Sequence, residues 1–175
     1  KEDALNFLKV AQSESPNDMS LVLTEANIQL ELGNNYEYKK IIEKASKKEP
    51  NNVDLIFNLG VLESQSNDFS SAMYYYKKVI NLNPNYLNAY INISDLILRG
   101  ESKIINEMNS LGNSKADNER YDVLKKQRLE LFNSVIPYLE KAIEIDKNNQ
   151  DVKKTLMNLY IAVGKTKEYN QLKKM

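Results

Sequence analysis

The sequence predicts an all-α protein: antiparallel helix pairs stacked into a right-handed solenoid, with one pair lengthened into a projecting hairpin. Three observations carry this. Only five glycines and four prolines occur in 175 residues, too few for a fold of many strands and turns. Pro16, Pro50 and Pro84 follow one another at 34-residue intervals, so the chain repeats itself. Within each half-repeat apolar residues recur at helical spacing, while Asn, Asp and Gly collect at the joints.

The elements follow in order. Ala4, Leu8 and Ala11 before Pro16 read as the second helix of a partial repeat over 1–18, its first helix missing. A full unit spans 19–52, with Val22, Ala26, Gly33, Ile42, Ala45 and Pro50, although Tyr38 stands where a small residue is expected. The next, 53–86, carries Ile56, Leu59, Gly60, Phe69, Ala72, Tyr76, Val79 and Pro84. Gly60 and Ala72 are small enough to let the two helices approach closely, and Pro84 closes the pair because it cannot continue a helix. One hairpin cannot bury its apolar face alone, so such units stack.

The third unit opens in phase at Leu87 and regains its register only at Val135, Leu139 and Ala142, so 87–149 holds 63 residues where 34 are expected. The extra stretch, about 101–130, is itself patterned. Ile93, Ile97, Gly100, Ile104, Met108 and Leu111 form one seam, and Tyr121, Leu124, Arg128, Leu131 and Val135 the returning one. Gly112–Asn113 supplies a helix stop and Ser114–Asn118 the caps of the next helix. Gly100 opposes a straight first arm and Pro137 should kink or restart the second, and continuous but kinked arms are expected in preference to a separate short helix. A terminal unit, 150–175, shows Leu156, Met157, Tyr160 and Gly164.

This pattern resembles the tetratricopeptide repeat family, whose units are helix–turn–helix pairs of 34 residues; the period, the small residues and the prolines agree jointly over most of the chain. The resemblance implies a non-catalytic scaffold that binds a segment of another protein in a concave groove lined by the first helix of each unit. Carried across position by position, it places Ser20, Leu23, Thr24, Asn27 and Leu30 on that face in the first full unit, and Asp54, Phe57, Asn58, Val61 and Ser64 in the second. The expanded unit gives Asn88, Ile91, Asn92, Asp95 and Leu98, and the terminal unit Asp151, Lys154, Thr155, Asn158 and Ile161. Phe57 and Ile91 would be apolar anchors. Asn27 and Asn58 would pair with a peptide backbone, since a side-chain amide both donates and accepts. Members that grip a C-terminal carboxylate use Lys, Asn, Asn, Lys and Arg; here those positions hold Leu23, Asn27, Asn58, Asn88 and Asn92. The cations are missing, so a carboxylate-clamp role in binding chaperone tails is not expected.

Composition bounds the alternatives. There are 24 basic and 24 acidic residues and no basic run, which argues against nucleic acid as a partner. Cys, His and Trp are absent, removing the usual nucleophile–base pairs and the common transition-metal ligands, so no cofactor or metal is expected. Asp54, Asp95 and Asp151 lie in different units and read as helix-start or groove charges. Tyr74–Tyr76 reads as packing, and the sequon Asn92-Ile93-Ser94 as chance within a helix. No stretch approaches the 18 apolar residues of a membrane span. The sequence opens on Lys1 rather than Met, consistent with loss of a targeting segment, and its Asn/Lys richness fits a bacterial source, cytoplasmic or exported. Two further roles stand beside the groove. One is assembly through the hairpin or through open ends, where Leu5, Leu8 and Ala11 would be uncovered, including self-association. The other is service as a regulatory arm of a larger protein.

Overall fold

The computed structural model describes residues 2–174, and all regular structure among them is helical. The chain divides into two compact units, Lys1–Leu82 and Asn83–Met175. No helix among the described residues is long and apolar enough to cross a membrane.

The first unit contains α1 (Glu2–Glu14), α2 (Met19–Glu31), α3 (Asn35–Lys48), α4 (Val53–Gln65) and α5 (Phe69–Leu82), each packed on the next. Short polar residues start the helices: Asp18 accepts from the Ser20 N–H at 2.9 Å, and Asn52 from the Asp54 and Leu55 N–H groups at 3.1 and 3.2 Å. A core of Ala26, Tyr38, Ile42, Ala45, Leu55 and Leu62 joins α2, α3 and α4. Between α4 and α5 the Tyr76 ring lies in the space a side chain at Gly60 would need: a Cβ there would stand 2.5 Å from Tyr76 Cε1. The close approach at Gly60 is thus made by an aromatic ring filling the missing side chain.

The second unit contains α6 (Leu87–Leu98), α7 (Glu101–Ser110), α8 (Lys115–Ile145), α9 (Gln150–Ala162) and α10 (Thr166–Lys174). Helix α8 has 31 residues, about 46 Å at 1.5 Å per residue, and packs against α6, α7 and α9. Ser114 and Asp117 start it with a reciprocal capping box. Pro137 lies inside α8 without ending it. The arm facing it differs from the continuous helix expected, because α6 stops at Leu98 and α7 begins at Glu101. At the break the Gly100 N–H donates to Ile97 O at 3.0 Å, an i−3 bond that tightens the turn. Absence of a Cβ at Gly100 also lets the arms close up, since one would sit 3.1 Å from Leu131 Cδ1.

One backbone feature explains which helix pairs are short. Gly33, Asn67 and Gly164 have φ of 77°, 60° and 76°, and each ends the first helix of a pair. The amide after each reaches back five residues, from Asn34 to Gln29 O, Asp68 to Glu63 O and Lys165 to Tyr160 O, at 2.8–2.9 Å. In the expanded unit the residue in register with these three is Glu101, which starts α7. Gly100 just before it keeps φ −62°, so the chain does not reverse and runs on to Gly112.

Candidate functional site

Helix geometry places the predicted groove residues in rows, because positions i, i+3, i+4 and i+7 share a face. In the first unit α2 carries Leu23 and Asn27, while α4 carries Asp54, Phe57, Asn58 and Val61. Leu23 is half-buried and packs against the core cluster, so it contributes to folding as well as to the face. Asn27 is exposed. Phe57 is half-buried with its ring tilted 41° against Tyr76, centroids 5.6 Å apart, and Val61 is half-buried one turn on. Asp54 is exposed, and its carbonyl accepts from Asn58 Nδ2 at 2.8 Å. Asn58 Oδ1 in turn accepts from the Tyr38 hydroxyl at 2.9 Å, so this amide ties α3 to α4. The neighbouring hydroxyls are occupied locally: Ser20 Oγ donates to Asp18 and Thr24 Oγ1 to Ser20 O.

In the second unit α6 carries Asn88, Ile91, Asn92 and Asp95. Asn88 is exposed, and Ile91 and Asn92 are half-buried. The Asp95 carboxylate is exposed but receives Arg99 Nη2 at 2.9 Å and Nε at 3.0 Å. Helix α9 holds Asn158 beside Lys154 and Ile161, and these three line a shallow concavity of about 210 Å³ with Lys153, Met157 and Tyr169. Ile161 is 63% exposed, a large apolar side chain left on the surface of α9. Asp151 is exposed, and Thr155 Oγ1 donates to its carbonyl at 2.9 Å.

The carboxyls that shift are all held below the usual range. Asp18 is lowered by the Ser20 hydroxyl and N–H, Asp68 by the Ser71 N–H and hydroxyl, Asp117 by the Ser114 hydroxyl and N–H, and Glu107 by Arg120. These are caps and an ion pair, the direction opposite to a carboxylic acid kept protonated for proton transfer. Among the described residues no three His, Cys, Asp or Glu side chains converge as metal ligands. Ser94 of the sequon is 2% exposed and donates to Tyr90 O at 2.8 Å within α6, which leaves Asn92-Ile93-Ser94 without the accessible loop that glycan transfer requires.

Sequence reasoning missed three features. The Tyr38–Asn58 bond depends on a tyrosine that reads as an anomaly in the repeat. The uncovered face of α1 is not the one expected: Leu8 turns inward at 9% exposure, while Phe7 and Val10 stand 77% and 59% exposed. Finally, a concavity of about 510 Å³ opens between α1, α2 and α3, lined by Met19, Val22, Ile41 and Lys44 among others and by none of the predicted groove residues. The four-residue spacing of Lys40, Lys44 and Lys48 is the signal that marks it in the sequence.

Comparison with known proteins agrees with this architecture. Residues 53–86, which take in α4 and α5, match the tetratricopeptide repeat family. No curated protein matches the chain in sequence. The MamA protein shares the fold at a TM-score of 0.57 and 16% identity, over 95% of this chain and 75% of that one. A candidate protein-binding protein from Bacteroides ovatus superposes at 0.68 with 18% identity, over 83% and 73% of the two chains. The human IFIT1 dimer with m7Gppp-AAAA reaches 0.62 at 16% identity, covering 94% of this chain but 34% of the longer protein. At these identities the likeness is one of fold.

Proposed function

We infer that this chain, a tetratricopeptide repeat protein, is a non-catalytic interaction scaffold that holds a segment of another protein against the first helices of its repeats. The repeat division 1–18, 19–52, 53–86, 87–149 and 150–175 belongs to this reading. The observation that carries it is the composition of the α4 face. Phe57 and Val61 leave apolar surface beside the exposed Asp54 and the half-buried amide of Asn58, a mixture suited to an apolar anchor and a hydrogen-bonded backbone. Asn27 on α2, and Asn88, Ile91 and Asn92 on α6, offer the same chemistry in their own units, and Asn158 offers it on α9. Asn58 has a double role, since its carbonyl oxygen already accepts from Tyr38.

Affinity capture from source cells followed by mass spectrometry tests this, comparing wild type with Phe57→Ala/Ile91→Ala and with a variant lacking 101–130. Each protein is first shown folded by circular dichroism. Loss of a partner in the substituted variant alone supports the groove; loss in the deletion alone refutes it and moves function to the hairpin.

A second reading has its own observation. Phe7 and Val10 present adjoining apolar side chains on α1, 77% and 59% exposed, a face suited to assembly with another subunit or with further chain. Dissociation on Phe7→Glu, followed by sedimentation, would favour it.

A further inference from the structure

We propose that a second copy of this chain docks the exposed face of its α1 in the concavity between α9 and α10, so that copies join head to tail. The inference rests on the second reading above, that the α1 face is an assembly surface, and names the occupant.

Charge is sorted along the chain. Residues 1–34 hold six carboxylates and two lysines, residues 150–175 six lysines and two carboxylates, and the stretch between them 16 residues of each sign. The first and last parts of the array therefore carry net charges of −4 and +4 in a chain that is balanced overall. On α1 the negative charge is arranged about the apolar pair. Asp3, Phe7, Val10 and Glu14 follow one another at steps of four, three and four residues, which makes them one stripe, and all four are exposed. A carboxylate thus stands at each end of the Phe7–Val10 pair. Lys9 lies roughly 200° around the helix from Phe7, off this stripe.

The concavity on the last helix pair has the opposite chemistry. Met157 and Ile161 of α9 and Tyr169 of α10 supply its apolar surface, and no carboxylate lines it, neither Asp151 nor Glu168. Successive residues stand about 100° apart around a helix, so Lys153 and Lys154 lie on either side of Met157. Neither lysine has a hydrogen bond or an ion pair with any described residue, nor has Lys173, one turn beyond Tyr169. At about 210 Å³ the concavity is smaller than the roughly 300–1,000 Å³ of small-molecule pockets, and it suits a single large side chain such as that of Phe7.

Charge also chooses among the ways two copies can meet. Packing α1 on α1 opposes carboxylates, and packing α9–α10 on itself opposes lysines. Only α1 against α9–α10 joins opposite charges and apolar surface from both sides. Such a contact is heterologous: each dimer keeps one free face of each kind, so association runs past the dimer or closes a ring. Phe7 then meets another copy of the chain, and the partner of the groove is a different protein.

Sedimentation velocity of the full chain over a concentration series tests this. Two charge-reversed variants, Asp3→Lys/Glu14→Lys and Lys153→Glu/Lys154→Glu, are compared with wild type after circular dichroism shows each folded. Wild type is expected to gain mass with concentration and to lose it at high salt. Each variant alone is expected to associate about tenfold or more weakly. Their equimolar mixture is expected to associate again, because the intact α1 of one meets the intact α9–α10 of the other. A wild type that stays monomeric, variants that associate as wild type does, or a mixture that fails to recover would overturn the proposal. Dissociation on Phe7→Glu with no response to the charge reversals would overturn it and keep α1 as an assembly face. Association indifferent to Phe7→Glu would overturn both.

Discussion

The Tyr38 hydroxyl donates to Asn58 Oδ1 at 2.9 Å, joining the second helix of one repeat to the first helix of the next. Tyr38 is fully buried, so removing its acceptor strands a buried hydroxyl. Asn58→Ala is expected to cost about 1–2 kcal/mol and Tyr38→Phe about 1 kcal/mol. The double variant should cost less than the sum, because the bond between the two side chains can be lost only once. Urea denaturation of the three variants checks this. Additive costs would show that the contact contributes nothing.

The same tyrosine sets a response to alkali. Burial, and after it the neighbouring Tyr76, pushes the Tyr38 hydroxyl up to about 12 from its ordinary value of 10.0. A folded value above the unfolded one means stability is fully present below about pH 10 and is lost as the pH rises through about 12. Tyr160 moves the same way, through burial and its bond to Glu140, so it adds to the loss. The difference in denaturation midpoint between about pH 9 and about pH 11 should therefore shrink in Tyr38→Phe. An unchanged difference would contradict the assignment.

Two glycines inside helical stretches should respond oppositely to alanine. At Gly60 the new methyl meets Tyr76 Cε1 at 2.5 Å and Cδ1 at 2.7 Å, on a ring that is 2% exposed and cannot swing aside. Gly60→Ala is expected to destabilise by about 1–3 kcal/mol despite its gain in helix propensity. At Gly100 the nearest side-chain atom is the terminal methyl of half-buried Leu131 at 3.1 Å, which needs to yield only slightly. Gly100→Ala should be neutral or stabilise by up to about 1 kcal/mol, by converting the α6–α7 break into continuous helix. Thermal unfolding of the pair decides both.

Helix α7 buries no residue fully, and two ion pairs bind it to α8. Arg120 Nη2 meets Glu107 at 2.6 Å and Arg128 Nη2 meets Glu101 at 2.6 Å, and the Arg128 guanidinium also lies 4.9 Å from the Phe132 ring centre. Arg128→Ala is expected to cost about 1 kcal/mol, felt locally. Hydrogen exchange should show α7 amides opening faster than those of α8 in wild type, and faster still in Arg128→Ala or at high salt. Equal protection of the two helices would refute the picture of a lightly held α7.

Much of the fold is legible because it rests on local chemistry. Proline spacing, capping Asp18 and Asn52, and the helix stops at Gly33 and Gly164 each act within a few residues, and their periodicity exposes the repeat. What was not legible depends on partners distant in sequence or on backbone choices with no unique residue. Asn67 adopts the left-handed turn that glycine makes elsewhere, while Gly100, a residue free to make that turn, does not. Tyr38 reads as a misfit until Asn58, 20 residues on, is seen to accept its proton. The local engagement of Ser20, Thr24, Asn58 and Asp95 was not legible either.

Site-directed photo-crosslinking in source cells reads which face of the protein meets its partner. A benzophenone side chain replaces Asn27 or Asn88, both exposed on the proposed binding faces, or Lys103 on α7 and Phe7 on α1 as comparisons. A partner is expected to be captured from Asn27 or from Asn88 and not from Lys103 or Phe7. Capture confined to Lys103 or Phe7 would contradict it and place the interaction on the hairpin or on the open face of α1.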